Sequence, residues 1–147
     1  MMTNLIYLKI LKARTMKNPF KISVRVYYED TDAEGVVYYA NYLKFAERAR
    51  SEFLRDRKLT VETKKDGERC VFVARHAEID YKQSAFLDDL LSVSCEIKEM
   101  KNSSAVIYQE VKRGDELLAV VTVTLVFVNI NRHRPTRITE EMRQKLQ

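Results

Sequence analysis

The sequence predicts an α+β domain in which an antiparallel sheet of about five strands wraps around one long helix. Apolar residues recur at every second position in one segment before residue 30 and in further segments after residue 70, the period of half-buried strands. Only between 41 and 57 does the period lengthen to that of a helix. The connections between the later strand segments are short, which favours antiparallel neighbours because parallel ones need long crossovers.

In chain order, Ile22, Val24, Val26 and Tyr28 alternate through a first strand over 22–29, which ends at the acidic turn Glu29-Asp30-Thr31-Asp32. From Asn41 to Arg57, Tyr42, Phe45, Ala46, Ala49 and Phe53 share one helical face, while Lys44, Glu47, Arg48, Glu52 and Arg55 fall elsewhere. Asn41 suits the N-cap of that helix, and the small Ala46 and Ala49 let a backbone pack close against it. A polar stretch over 60–69 follows. Strand patterns then cover 71–82, 90–100, 105–113 and 117–129, punctuated by Asp88-Asp89, Lys101 to Ser103 and Gly114-Asp115. The segment from Leu117 to Val128 is nearly continuously apolar, so it is expected to be covered on both faces, by the helix and by a second subunit. A sheet wrapped on one helix also leaves an open edge, a natural dimer interface.

A chain of 147 residues fits one domain and buries roughly two thirds of its unfolded surface without staples. With 46% hydrophobic and 32% charged residues, three Gly and two Pro, the composition excludes disordered and fibrous classes. The formal charge of +5 suits nucleic acid, an anionic membrane or a phosphate-bearing small molecule without choosing among them. Lys and Arg alternate with Asp and Glu nearly everywhere. The densest basic spots, Lys64-Lys65 and Arg132-His133-Arg134, read as soluble loops, and no basic stripe carries interleaved aromatics, so no nucleic-acid partner is expected. Cys70 and Cys95 are too isolated for a disulfide scaffold or a zinc site and fit a reducing cytoplasm; Cys95 alternates with Val93 and Ile97 as a core residue. No apolar run is long enough to span a membrane. The first fifteen residues, basic and apolar without an acidic residue, admit an amphipathic or targeting helix with peripheral membrane association; a misassigned start before Met16 is the competing reading. The expected organisation is an N-terminal extension over 1–15 and a single domain over 16–147.

The usual catalytic sets are missing: no G-x-S-x-G elbow, no Gly-rich phosphate loop, no H-E-x-x-H and no metal-ligand cluster, so no metal site is expected. His76 lies in a predicted strand and His133 in a basic tail, which gives a histidine-based triad little support. The segment from Tyr27 to Tyr42 stands out. Its acidic turn is followed by Gly35, an apolar pair and an aromatic pair, and then directly by the strongest helix, so a carboxylate is placed near a helix N-terminus. Such an end carries unpaired N–H groups and a positive dipole that can polarise a carbonyl oxygen. A carboxylate beside it forms a minimal site for acyl transfer.

The string D-x-D-x-x-G-x-V-x-Y-x-N-Y from Asp30 to Tyr42, with the following Phe45-Ala46-Glu47-Arg48-Ala49-Arg50, resembles the signature of the 4-hydroxybenzoyl-CoA thioesterase family. Within it, the chain is similar to the tol-pal-associated, YbgC-like acyl-CoA thioesterases from about Lys21 to Arg137. The resemblance implies a hotdog fold and a cytoplasmic thioester hydrolase acting on a small acyl-CoA, with no cofactor because coenzyme A is part of the substrate. It also implies a homodimer whose sheets join, as a dimer of dimers in a homotetramer, with active sites at the subunit interface. By position it makes Asp32 the catalytic carboxylate, as nucleophile or general base. It makes the backbone N–H of Tyr39 the group that meets the thioester carbonyl, and Asp30 a supporting residue. Tyr38, Asn41 and Tyr42 would contact substrate. The turn Lys101, Asn102, Ser103 matches the segment that binds coenzyme A phosphates, a task shared with Arg134 and Arg137 because only Lys101 is basic there. Tyr39 stands where many YbgC-like members have His, and Glu34 replaces a common Gly, which would strain the turn if that position needs a positive φ. A hotdog dehydratase, or a module that binds acyl-CoA or acyl-carrier protein, is the rival reading, since the fold alone does not fix the reaction. Dehydratases of this fold rely on a His, and Tyr39 offers none.

Overall fold

The computed structural model describes residues 19–147; the expected N-terminal extension over 1–15 lies outside the described residues. The strands are β1 (Phe20–Arg25), β2 (Glu62–Lys65), β3 (Glu68–Tyr81), β4 (Leu90–Met100), β5 (Ser104–Arg113), β6 (Glu116–Asn129) and β7 (Arg134–Pro135). The helices are α1 (Asn41–Asp56) and α2 (Glu140–Leu146), with a single 3-10 turn at Tyr28–Asp30. All strand pairs are antiparallel, in the order β1-β4-β5-β6-β3-β2 with β7 on β6.

The sheet therefore has seven strands among the described residues, against the expected five or so. Both additions are short. β2 lies in the stretch read as polar, and Asp66-Gly67 joins it to β3 with both residues at positive φ (53° and 77°). That two-residue Asp-Gly turn matches the right-handed strand twist, so turn chemistry forms this hairpin where hydrophobic patterning is silent. The first strand is shorter than expected, because the Asp30 carboxylate accepts the Tyr27 N–H at 2.8 Å and winds Tyr28–Asp30 into a tight turn.

α1 buries Tyr42, Phe45, Ala46, Ala49, Phe53 and Leu54, the predicted face with Leu54 added. Its N-cap is Ala40 and not Asn41, which is the first helical residue. The helix ends in a Schellman motif: the Leu59 N–H reaches the Leu54 carbonyl at 2.8 Å and the Lys58 N–H reaches that of Arg55 at 2.9 Å. Lys58 holds the left-handed position, φ 57°. The helix lies in the concave face of the sheet, and each large core side chain such as Phe45 or Phe127 contributes about 1.5–3 kcal/mol by leaving water. Gln109, fully buried on β5, clamps helix to sheet: its amide nitrogen donates to Ala46 O at 2.8 Å and Ser94 O at 3.2 Å. α2 closes one end of the core with Met142 and Leu146.

One face of β6 is buried against α1 through Val121 and Val123, while Val120, Thr122 and Thr124 on the other face are only half-buried. β2 covers β3 only from Glu68 to Val71, so beyond Phe72 the outer edge of β3 pairs with no strand among the described residues. From Val73 to Glu78 every residue of β3 is exposed, on both faces. Among those residues no helix is long and apolar enough to cross a membrane.

Candidate active site

Between β1 and α1 the chain folds back on itself twice. The Asp30 carbonyl accepts the Tyr38 N–H at 2.9 Å and the Asn41 side-chain amide at 2.8 Å, stitching the acidic turn to the start of α1. Inside that loop the Asp32 N–H donates to Val36 O at 2.9 Å and the Gly35 N–H to Asp32 O at 3.0 Å, a tight reversal in which Gly35 takes φ +81°. Glycine is needed there because it carries no Cβ. Glu34 is not among the residues at positive φ, so its replacement of Gly leaves no strain. Its N–H instead donates to Asp32 Oδ1 at 2.9 Å. One carboxylate oxygen of Asp32 is thereby fixed, while Oδ2 has no hydrogen-bond partner among the described residues and faces solvent.

The reversal leans on the β3–β4 connection through a Val36–Phe86 bridge and the Val37 N–H, which donates to Ala85 O at 2.9 Å. That connection is pinned in turn. Asp89 Oδ2 accepts the Phe86 N–H at 2.9 Å and an Arg113 N–H at 2.7 Å. Burial works to raise the Asp89 pKa, but these two partners outweigh it and hold the carboxyl below its ordinary range.

At the helix start, the N–H groups of Tyr39 and Ala40 have no acceptor among the described residues, whereas those of Asn41 and Leu43 bond Tyr38 O and Ala40 O. They are the orphan donors of a helix N-terminus. The Tyr81 hydroxyl donates to Tyr39 O at 2.8 Å and so fixes the peptide plane that carries the Ala40 N–H. Aromatic rings surround this point, with Tyr38–Tyr39, Tyr39–Tyr81 and Tyr42–Tyr81 centroids 4.8, 6.5 and 5.5 Å apart. Tyr42 is buried, and its hydroxyl accepts the Ala85 N–H at 3.2 Å; burial raises its pKa.

Of the residues singled out in the sequence, Asp30, Asp32, Tyr38, Tyr39, Asn41 and Tyr42 thus share one end of the sheet. Asn41 and Tyr42 use their side chains to hold that end together. Lys101, Asn102 and Ser103 are not brought there. They follow Met100 at the far end of β4, about 30 Å along the strand from Leu90, which lies beside the loop. In that turn Lys101 O and Asn102 O accept Arg143 N–H groups at 2.6 and 2.8 Å, and Asn102 Oδ1 accepts Arg137 at 3.0 Å, so within one chain it anchors the C-terminal segment. Tyr81, Asp89 and Arg113 were not foreseen. Tyr81 reads only as a strand residue because its partner Tyr39 is distant in sequence, and Asp89 only as punctuation because the Arg113 that pairs with it is. No group of His, Cys, Asp and Glu among the described residues is arranged to hold a metal ion.

A sequence model of the thioesterase-like superfamily matches residues 26–146. The acyl-CoA thioesterase YbgC of Haemophilus influenzae is 41% identical over 128 residues, covering 87% of this chain and 94% of that protein. The acyl-CoA thioester hydrolase YbgC of Escherichia coli O157:H7 is 39% identical over 124 residues, 84% of this chain and 92% of its own length. Among solved structures, that of a probable thioesterase from Bartonella henselae superposes with a TM-score of 0.74 at 36% identity, covering 82% of this chain and 97% of the other.

Proposed function

The chain belongs to the thioesterase-like superfamily, and from that premise we propose that it hydrolyses acyl-CoA thioesters with Asp32 as the catalytic carboxylate. The observation that carries this reading is the free Oδ2 of Asp32 in a loop stitched to a helix start whose Tyr39 and Ala40 N–H groups lack acceptors. A thioester carbonyl oxygen accepts a hydrogen bond from the Tyr39 N–H, and negative charge developing on it is stabilised there. Asp32 either attacks the carbonyl carbon, giving an anhydride that water then cleaves, or takes a proton from the water that attacks. In both routes the carbon–sulfur bond breaks, coenzyme A leaves as the thiolate and is protonated, and the acyl group leaves as a carboxylate.

The uncovered edge of β3 supports a homodimer in which two such edges pair antiparallel, extending the sheet across a two-fold axis. The half-buried outer face of β6 supports the association of two dimers. Lys101, Asn102, Ser103, Arg134 and Arg137 would then bind coenzyme A phosphates from a neighbouring subunit, since within one chain that end lies far from Asp32. Coenzyme A enters as part of the substrate, and the reading places the enzyme in the cytoplasm, where its substrate is made.

The test is thiol release from short, long and aromatic acyl-CoAs by the wild type and by Asp32→Asn. The expected result is a loss of about 10²–10⁴-fold in kcat with an unchanged circular dichroism spectrum. Activity indifferent to Asp32 would remove it from the mechanism.

A further inference from the structure

The connection from Lys82 to Asp89 joins β3 to β4, and Arg113, the last residue of β5, holds it at two points. Its Nη1 donates to Ser84 O at 3.1 Å and to Asp89 Oδ2 at 2.7 Å, while Nη2 donates to Glu116 Oε2 at 2.8 Å. The same guanidinium lies 5.6 Å from the centre of the Phe86 ring. A planar fork makes these contacts together, where a lysine would offer one point charge. The Asp89 and Arg113 side chains are 21% and 28% exposed, so water screens their pair only in part.

Asp89 passes this anchorage on to Phe86. Its Oδ2 accepts the Phe86 N–H at 2.9 Å, and its own N–H donates back to Phe86 O at 3.1 Å. Phe86 is therefore fixed at both backbone groups by one residue. It stands opposite Val36 in a β-bridge, and Val36 O accepts the Asp32 N–H at 2.9 Å. The acidic turn itself is tied to α1 through Asp30, whereas the returning limb of the loop, Val36 and Val37, rests on this connection. A continuous series of contacts thus runs from β5 through Arg113, Asp89, Phe86 and Val36 to the residue whose carboxylate keeps one open oxygen.

We infer that Arg113 and Asp89 are positioning residues for the hydrolysis: their ion pair sets where the Val36 limb lies and so where the Asp32 carboxylate meets the thioester. The inference rests on the catalytic assignment of Asp32. Neither residue touches a reacting atom in this arrangement. Displacing a catalytic group by about 1 Å costs up to about 10²-fold in rate, while substrate affinity, which the pair does not supply, is left as it was.

Steady-state thiol release from one acyl-CoA by variants of the full chain tests this. Asp89→Asn keeps the size of the side chain and removes its charge; a fall of about tenfold or more in kcat is expected, with KM within about twofold of the wild type. Glu116→Gln removes a partner of Arg113 that bonds no residue of the connection, and kcat within about twofold of the wild type is expected. In the Asp32→Asn background, Asp89→Asn is expected to lower kcat no further, because the carboxylate it positions is already gone. If Asp89→Asn loses its fold by circular dichroism, Arg113→Lys, which keeps the charge and gives up the two-point hold, takes its place with the same expectations. The inference is overturned if the variant that folds retains the wild-type kcat, if KM alone changes, if Glu116→Gln loses as much, or if the losses multiply with that of Asp32→Asn. None of those results touches the assignment of Asp32. An Asp32→Asn enzyme as active as the wild type removes that assignment, and this inference falls with it.

Discussion

Asp30 and Asp32 are two positions apart and differ in what their carboxylates do: Asp30 bonds the Tyr27 N–H, while Asp32 keeps one oxygen open. The same contrast separates Tyr81 from the other tyrosines, since its hydroxyl alone holds the peptide that presents the Ala40 N–H. Tyr81→Phe removes about 1 kcal/mol of that hold on the helix start, whose Tyr39 N–H meets the thioester carbonyl, so a several-fold fall in kcat is expected with KM nearly unchanged. Steady-state kinetics on one acyl-CoA would show it, and a change in KM alone would assign Tyr81 to binding. Cys95 illustrates a buried group with no part in the chemistry. Burial pushes its thiol from 9.0 up to about 12. The neutral thiol is therefore favoured in the fold. Its contribution to stability is complete below pH 9 and is lost as pH rises from there towards 12. Urea midpoints measured across that range are expected to fall, and to fall less in Cys95→Ala.

Among the elements, α1 has the most to position, because its first turn supplies the N–H groups and its buried face sets where they point. Its C-terminus is built for glycine yet carries Lys58 at φ 57°. Lys58→Gly relieves a left-handed side chain, and a gain of about 0.5–1 kcal/mol is expected after the added chain entropy is counted. Thermal melts of the two proteins would measure it, and an unchanged Tm would mean that Lys58 is held there without strain. The helix start works the other way. Ala40 lacks a capping side chain, which leaves the donors uncapped and open to a ligand.

For the whole molecule, the exposed run from Val73 to Glu78 is the largest departure from the burial expected of a strand that crosses a core. In the proposed homodimer two such edges run antiparallel about a two-fold axis within this run. Val73→Asp with Ala77→Asp adds negative charge along both copies of that edge, and a shift from dimer to monomer is expected in sedimentation velocity, accompanied by loss of thiol release. Sedimentation unchanged by both substitutions would move the interface elsewhere.

The long helix, the later strands and the acidic stretch before the helix are all legible in the amino-acid order, because each depends on near neighbours: a period of two or 3.6, a turn residue, a carboxylate next to a helix start. β2 escapes that reading because it is held by an Asp-Gly turn and pairing to β3, not by apolar alternation. Tyr81 and Arg113 escape it because each acts on a residue distant in sequence, Tyr39 at the helix start and Asp89 before β4, and Asp89 because it links Phe86 to Arg113 only once β4 and β5 are paired. The same assembly sends Lys101 to Ser103 to the opposite end of the sheet from Asp32, although their residue types suit a phosphate site. Chemical type and local period are properties of the chain; which end of a strand a residue occupies, and which oxygen of Asp32 is left free, are fixed only by packing at a distance.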